Sequence, residues 1–285
     1  MYPILETQFL APNICRTVVQ APRVALSAQP GQFIILRTDP NGERIPLTVC
    51  DFDSEAGTVT VVTQAVGVSS RKICALRKGD AFEDFAGPLG LPSEFMKEPV
   101  EALRGKKYLF IAGGLGTAPV YPQAKYLHAH GAEVSVILGA KTKDLVIMEA
   151  QMREVCTHLY ICTDDGSYGF KGLVTDRMKA LLDNGNVYDQ AVAIGPLIMM
   201  KFVTLAAKPY GLPLIVSLNT LMVDGTGMCG ACRVSIAGKT RFACVDGPEF
   251  DAYQVDFDEA LRRQGLYRNQ EAEANHKCKI DIHNE

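Results

Sequence analysis

Short apolar runs alternate with turn-forming residues through the first hundred residues of the chain. Runs rich in Val, Ile and Phe at 14–21, 32–37 and 58–63 are separated by segments that contain Pro, Gly, Asn and Asp. Strands of this length and spacing are typical of an antiparallel barrel or sandwich. No long helical period interrupts them, so the pattern predicts an antiparallel β domain over residues 1–100.

The pattern changes near 104–107, where we place a domain boundary. The run at 108–112 is continuously apolar, as the strands of buried parallel sheets are. It leads into a glycine-rich turn at 113–119, a predicted helix, and a second apolar strand at 134–138. This succession is that of a nucleotide-binding βαβ unit, and it predicts a Rossmann-like parallel α/β domain over residues 101–217.

Loops at the carboxyl ends of the predicted strands are candidate ligand sites, because ligands of open α/β sheets bind there. The glycines of the first turn differ in spacing from the standard G-x-G-x-x-G fingerprint. Two later strands, at 159–162 and 191–194, end in loops at 163–167 and 195–196. Any one of these loops is also explained as a plain connection between a strand and a helix.

The stretch at 223–247 has cysteines at the spacing of an iron–sulfur centre. One common [2Fe–2S] framework runs C-x4-C-x2-C…C. Laid on this stretch, its four positions are Asp224, Cys229, Cys232 and Cys244. Glycines between them suit a loop that wraps an inorganic core, because glycine tolerates positive φ and close backbone approach. The spacing predicts a [2Fe–2S] cluster held by one aspartate and three cysteines, in a small domain over residues 218–262.

Other interpretations of this stretch stay open at this point. Two cysteines separated by two residues, with a third cysteine and an acid, also fit a structural zinc site, a redox dithiol or buried thiols without a metal. Asp224 begins an Asp-Gly pair, which is also an ordinary turn, and Cys278 is a second candidate for the fourth ligand. The polar C-terminal tail, 263–285, matches no motif.

Two segments of the β domain carry groups suited to a diphosphate. Arg44 begins the run Arg-Ile-Pro-Leu-Thr, and its guanidinium offers a forked set of donors. Gly67, Ser69 and Ser70 stand at a predicted helix start, where backbone N–H groups bind anions. Taken singly, the arginine is also explained as a solvated charge and the serines as a helix cap.

Composition narrows the class of function. A net charge of −3 gives no electrostatic reason to expect binding to nucleic acid or an anionic membrane. Nine cysteines, an odd number, favour a reducing compartment over a disulfide framework. The longest apolar run, at 191–200, is too short to span a bilayer, and the N-terminus lacks a signal peptide's basic region. We expect a soluble, cytoplasmic protein, and its scattered histidines suggest no catalytic triad.

Residues 1 to about 262 resemble the ferredoxin–NADP reductase superfamily, in the branch with a C-terminal [2Fe–2S] domain. The resemblance rests on RIPLT at 44–48, GGLGTAPV at 113–120, TDDGSYG at 163–169, IGPLIMMK at 194–201, MVDGTGMCGACRV at 222–234 and FACVDGPEF at 242–250. The branch includes electron-transfer subunits of dihydroorotate dehydrogenase and small subunits of electron-bifurcating, NADH-dependent ferredoxin:NADP oxidoreductases. Aspartate in the first ligand position favours the second group, since the first resembles an all-cysteine version.

The resemblance implies that hydride passes between NAD(H) and FAD, and that single electrons leave through the [2Fe–2S] cluster. It places FAD against Arg44, Pro46, Leu47 and Thr48, with the diphosphate at Gly67, Ser69 and Ser70. It places the phosphates of the nicotinamide dinucleotide at Gly113, Gly114, Gly116 and Thr117, with Asp164, Asp165 and Gly195 nearer its ribose and ring. It also implies a large partner subunit with a second FAD and [4Fe–4S] clusters, through which ferredoxin is reached. NADH is favoured over NADPH, and a redox-regulatory module without hydride transfer is the alternative from another class.

Overall fold

The computed structural model describes residues 1–278, so the last residues of the predicted polar tail, 279–285, lie outside the described residues. The first strands are β1 Tyr2–Ala11, β2 Ile14–Gln20, β3 Phe33–Arg37, β4 Ile45–Asp53, β5 Thr58–Gln64, β6 Ala81–Phe82 and β7 Asp84–Leu89. They pair antiparallel in the order β6-β1-β2-β5-β4-β3-β7 and form a nearly closed barrel. The predicted antiparallel β domain is therefore confirmed as a barrel.

Apolar residues at every second position give the barrel its core, because successive side chains of a strand point to opposite faces. Val19 of β2 lies opposite Val59 of β5, and both are fully buried together with Val61 and Ile34. Two short helices interrupt the strands, α1 Pro22–Ser27 and α2 Val68–Ala75. Neither is long enough to alter the β character that the sequence predicts.

The second part of the chain is a parallel sheet covered by helices. Its strands and those that follow are β8 Lys107–Gly113, β9 Glu133–Ala140, β10 His158–Thr163, β11 Phe170–Lys171, β12 Gln190–Ile194, β13 Leu214–Ser217, β14 Arg233–Ile236, β15 Lys239–Phe242 and β16 Glu249–Asp251. The helices are α3 Val100–Leu103, α4 Thr117–Ala129, α5 Glu149–Glu154, α6 Val174–Asp183, α7 Leu197–Ala207, α8 Ala243–Asp246, α9 Phe257–Gln264 and α10 Arg268–Lys277.

This sheet has the order β11-β10-β9-β8-β12-β13-β16. All its neighbours pair parallel except β13 and β16, which pair antiparallel. The predicted Rossmann-like domain is confirmed, and the carboxyl ends of β8, β9, β10 and β12 meet at one edge. Within residues 1–278, no helix is long and apolar enough to cross a membrane.

The cysteine-rich segment is inserted between two neighbouring strands of this sheet. The chain leaves at the end of β13, forms the β14–β15 hairpin and α8, and returns as β16. The backbone N–H of Leu218 donates to Pro248 at 2.9 Å, which holds departure and return together. The N–H of Leu91, at the end of the barrel, donates to the carbonyl of Gly247 at 2.7 Å. The inserted segment is thus fixed to both larger domains at its base.

Candidate functional site

A cleft of about 1620 Å³ runs between the barrel and the edge of the parallel sheet. Eight of the residues predicted to bind FAD or the nicotinamide dinucleotide lie on its walls: Pro46, Leu47, Thr48, Gly113, Gly114, Gly116, Asp164 and Gly195. The barrel wall is largely apolar, as a flat aromatic ring system requires, while the sheet wall combines the glycines of its turns with apolar side chains such as Leu173 and Met199 and with the charged Lys141 and Asp164. Two segments far apart in sequence thus form one continuous groove.

The glycine-rich turn after β8 packs tightly against the turn after β12. A Cβ atom on Gly116 would lie 2.1 Å from the carbonyl oxygen of Ile194, and one on Gly113 would lie 2.3 Å from Sδ of Met199. The hydroxyl of Thr117 donates to the carbonyl of Gly114 at 2.9 Å and is turned away from the cleft. Close packing therefore explains two of these glycines, and Thr117 stabilises the turn from behind.

The hydroxyl groups at the start of α2 already have protein partners, in their own segment and at Glu43. Oγ of Ser70 accepts from the backbone N–H groups of Val66 and Gly67 at 3.0 and 2.9 Å, while the hydroxyl of Ser69 donates to the carboxylate of Glu43. None of the three predicted residues here, Gly67 included, lines the cleft. Their role at a flavin diphosphate stays a prediction.

Asp165 is also occupied within its own loop. Its carboxylate accepts from the backbone N–H and the hydroxyl of Ser167 at 2.9 and 2.7 Å, and the hydroxyl bond is the main reason that the pKa of Asp165 lies below its usual value. Asp164, one residue earlier, faces the cleft together with Lys141. Of the two adjacent acids, the structure therefore presents the first one to a ligand.

The loop between β13 and β14 has the backbone that the sequence predicts for a wrapping loop. Gly225, Gly227 and Gly230 have φ of 82°, 83° and 68°, a region that favours glycine. Sγ of Cys232 lies 3.2 Å from Sγ of Cys244, and both side chains are buried whereas Cys229 is exposed. In the range 1–278, no three His, Cys, Asp or Glu side chains form a group that could hold one metal ion.

Asp224 makes an Asx-type turn at the start of this loop. Its Oδ2 accepts from the backbone N–H of Thr226 at 3.1 Å and from the hydroxyl of the same residue. The hydroxyl bond is the first cause of a pKa below the usual value for Asp224. This geometry is that of an ordinary Asp-Gly turn, and both of these bonds are made by Oδ2. Its role as a ligand stays a prediction.

Two arginines, one directly before β4 and one at the end of α9, hold the backbone of the loop. Arg44 donates to the carbonyl oxygens of Val223 and Asp224, and Arg263 at the end of α9 donates to that of Ala231 at 3.1 Å. The donor chemistry of the loop, three thiols and a carboxylate among glycines, fits an iron–sulfur cluster. Burial raises the pKa of Cys244 to about 12, so iron has to displace its proton on binding.

Comparison with known proteins finds a matching family model and similar proteins. Residues 219–256 match the model of the iron-sulfur cluster binding domain of dihydroorotate dehydrogenase B. The chain is 46% identical over 268 residues to a Thermotoga maritima homolog of the dihydroorotate dehydrogenase B (NAD(+)) electron transfer subunit, covering 94% of this chain and 92% of that protein. It is 54% identical over 275 residues to an uncharacterized Clostridium beijerinckii protein from the adh 3′ region, covering 96% and 93%.

A solved structure gives the same result over the whole fold. It is the NADH-dependent reduced ferredoxin-NADP oxidoreductase, a flavin-based electron-bifurcating system, and it matches with a TM-score of 0.89 at 42% identity over 97% of each chain. The chain belongs to the ferredoxin–NADP reductase-like electron-transfer subunits. The resemblance stated from its motifs is thereby confirmed.

One buried contact in this electron-transfer subunit was not predicted from the sequence. Oε1 of Glu249, on β16, accepts from the hydroxyl of Ser93 at 3.0 Å and from Nε2 of Gln123 at 2.9 Å. Ser93 follows the barrel, and Gln123 belongs to α4 of the nucleotide domain. A single carboxyl therefore joins three parts of the chain beside Pro248, which lines the cleft. No local pattern marks Glu249, because its partners are 126 and 156 positions away.

Replacing Glu249 by glutamine is expected to flatten the dependence of stability on pH. Burial raises the pKa of Glu249 to about 7, above the ~4.3 of an unfolded chain. The stabilisation that the Glu249 carboxyl contributes is therefore fully present below about pH 4 and is lost as the pH rises through 7. Between pH 5 and 8, the free energy of unfolding of the wild-type protein should fall by about 1–2 kcal/mol more than that of Glu249→Gln, after allowance for partial solvent screening. Urea unfolding at both pH values measures this, with the exposed Glu101→Gln as control; equal losses in all three proteins would contradict it.

Proposed function

We propose that this chain is the flavin- and iron–sulfur-containing electron-transfer subunit of an electron-bifurcating, NADH-dependent ferredoxin:NADP oxidoreductase. It exchanges hydride between NAD(H) and FAD and passes single electrons through a [2Fe–2S] cluster to a larger subunit. FAD supplies the conversion of a two-electron donor into single electrons, and the protein positions the reacting groups. The matching structure of a bifurcating enzyme over 97% of both chains supports this assignment.

The single observation that carries the proposal is the continuity of the cleft with the cluster loop. The cleft walls include Pro46 and Leu47 of the barrel, Gly113 of the nucleotide domain and Met222. Met222 stands two positions before Asp224, so the loop that would hold the cluster begins at the wall of the groove that would hold the flavin. Electron transfer requires neighbouring cofactors, and in this arrangement the proposed flavin site and the proposed cluster site are adjacent.

The residues take the following proposed roles. The flavin would be held by Arg44, Pro46, Leu47, Thr48, Gly67, Ser69 and Ser70. The nicotinamide dinucleotide would be held by Gly113, Gly114, Gly116, Thr117, Asp164, Asp165 and Gly195. The cluster would be held by Asp224, Cys229, Cys232 and Cys244. We retain the division into a flavin domain at 1–100, a nicotinamide domain at 101–217, a cluster domain at 218–262 and a tail at 263–285.

The family of electron-transfer subunits implies a large partner subunit for this chain. We propose that the partner contains a second FAD and [4Fe–4S] clusters, and that ferredoxin is reached through it. All nine cysteines are free thiols, which favours the reducing cytoplasm. The match of residues 219–256 to dihydroorotate dehydrogenase B favours one second candidate, the electron-transfer subunit of that enzyme. Co-purification with an orotate-reducing subunit would select the second candidate, and a partner with [4Fe–4S] clusters the first.

Anaerobic purification of the full chain tests the proposal. The sample should contain FAD and two irons for each chain, and dithionite should produce the electron paramagnetic resonance signal of a reduced [2Fe–2S] cluster. Stopped-flow mixing with NADH should bleach the flavin absorption. Zinc in place of iron, or a cofactor-replete sample whose flavin does not bleach with NADH, would refute the assignment.

Substitution of Asp224 separates a ligand from a turn residue. Asp224→Cys should keep the iron and the resonance signal but shift the g values and the midpoint potential, since ligand identity tunes a cluster. Asp224→Ala should lower the iron content several-fold, because one of the four proposed ligands of the cluster is lost. The measurements are iron analysis and a potentiometric titration, with the exposed Asp258→Ala as control. An unchanged potential and spectrum in Asp224→Cys would show that Asp224 is not a ligand.

A further inference from the structure

The guanidinium of Arg44 is directed toward the cluster loop. Arg44 precedes β4 by one residue and is half-buried. Its Nε donates to the carbonyl oxygen of Val223 at 2.9 Å, and its Nη2 donates to that of Asp224 at 3.3 Å. Two donors of one planar group thus bind consecutive carbonyls that lie 179 and 180 positions away in the chain. A flexible surface charge would not select this pair.

The same part of the loop is packed against the barrel strands. Gly225 has φ of 82° and is buried; a Cβ there would lie 2.6 Å from Cδ1 of Ile35 and 2.9 Å from Cδ1 of Leu89. Ile35 of β3 pairs with Pro46 of β4, and Pro46 lines the cleft. The backbone at 223–225 is therefore fixed by hydrogen bonds and by packing to the strands that form the proposed flavin wall.

We propose that Arg44 is a positioning residue for the cluster: it ties the first-ligand segment of the loop to the flavin barrel and keeps a positive charge beside the cluster. The inference rests on the proposed function, because it requires a cluster in this loop. Reduction of a cluster adds one negative charge, and a nearby cation stabilises the added charge. Arginine supplies a cation that does not lose its proton.

This role differs from the one that the sequence suggests for Arg44, which is to line the FAD or to bind its diphosphate. An arginine that serves only the diphosphate would affect flavin content and leave the cluster unchanged. An arginine that positions the loop would affect the cluster even in chains that retain flavin. Flavin content and cluster potential, measured on one sample, therefore separate the two roles.

The test compares Arg44→Gln and Arg44→Lys with wild type in the full, anaerobically prepared, cofactor-replete chain. Arg16→Gln is the matched control, since Arg16 is a partly buried barrel arginine whose partner is Glu6, at 2.6 Å. At the wild-type midpoint, Arg44→Gln should lower the ratio of reduced to oxidised cluster about threefold, a negative shift of ~28 mV at 59 mV per tenfold. Arg44→Lys keeps the charge but loses the fork, so it should shift the ratio less and still alter the resonance line shape. Arg16→Gln should match wild type.

A wild-type midpoint and line shape in flavin-replete Arg44→Gln would overturn the inference. If Arg44→Gln does not fold, Arg44→Lys decides: an altered line shape supports the inference, and one identical to wild type overturns it. Absence of a [2Fe–2S] signal in the wild-type chain would instead overturn the proposed function, so the two failures are distinguishable.

Discussion

Cys232→Ser is expected to abolish the cluster while leaving reduction of the flavin by NADH intact. Cys232 is 2% exposed and its sulfur lies 3.2 Å from that of Cys244, so its loss removes a donor from the enclosed side of the site. The iron content and the resonance signal should fall at least about tenfold, because the remaining donors cannot hold a core that thiolates anchor. Stopped-flow reduction with NADH should continue, since the cleft walls are unchanged.

The control for this prediction also tests the competing fourth ligand. Cys278→Ser should retain iron, signal and potential if Asp224 completes the site, because Cys278 follows α10 outside the cysteine-rich loop. Loss of the cluster in Cys278→Ser would show that Cys278, and not Asp224, is the fourth ligand. A Cys232→Ser protein with wild-type iron content and spectrum would contradict the cluster assignment itself.

Gly116→Ala is expected to impair the use of NADH more than any other single methyl group added in the cleft. The new Cβ would lie 2.1 Å from the carbonyl oxygen of Ile194 and 2.7 Å from its carbonyl carbon. Both are backbone atoms, so the turns after β8 and β12 must move apart. Overpacking of this kind costs about 1–3 kcal/mol, and the displaced turn should lower kcat/KM for NADH at least about tenfold, or ~1.4 kcal/mol.

Stopped-flow rates of flavin reduction over a range of NADH concentrations measure this loss. Gly265→Ala is the matched control, because Gly265 has φ of −86° and its nearest contact with a new Cβ would be 3.6 Å. Flavin and iron content should be near wild type in both variants. Unchanged NADH kinetics in Gly116→Ala would mean that this turn does not position the dinucleotide.

Much of the fold could be predicted from local sequence. The strand over 108–112 was predicted from its continuous apolar run and is the central part of β8. Three of the seven barrel strands, β2, β3 and β5, were predicted to within about one residue at each end, because a period of two and its turn residues are local properties. The three positive-φ glycines of the cluster loop followed from the same kind of reasoning. The short helices α1 and α2 were missed as elements of the barrel, although a helix start at 67–70 was predicted.

The candidate site was predicted less completely. Pro46, Leu47 and Thr48 are three consecutive residues of β4, and all three line the cleft. Arg44 lies close to them in sequence, but its hydrogen bonds go to the cluster loop. Nothing in the neighbouring residues decides between a flavin phosphate and the cluster loop as the partner of Arg44, since each depends on a segment far along the chain.

The sequence by itself determined the order of the domains, the glycine-rich turn and the cysteine spacing, because each depends only on residues that are close together in the chain. Tertiary structure alone decided that the cysteine-rich segment is inserted between β13 and β16, that Cys232 meets Cys244, and that Glu249 joins three parts of the chain. The physical reason is that hydrogen bonds and packing act across space. Whether Arg44 faces a phosphate or a carbonyl depends on which distant backbone the folded chain brings to it.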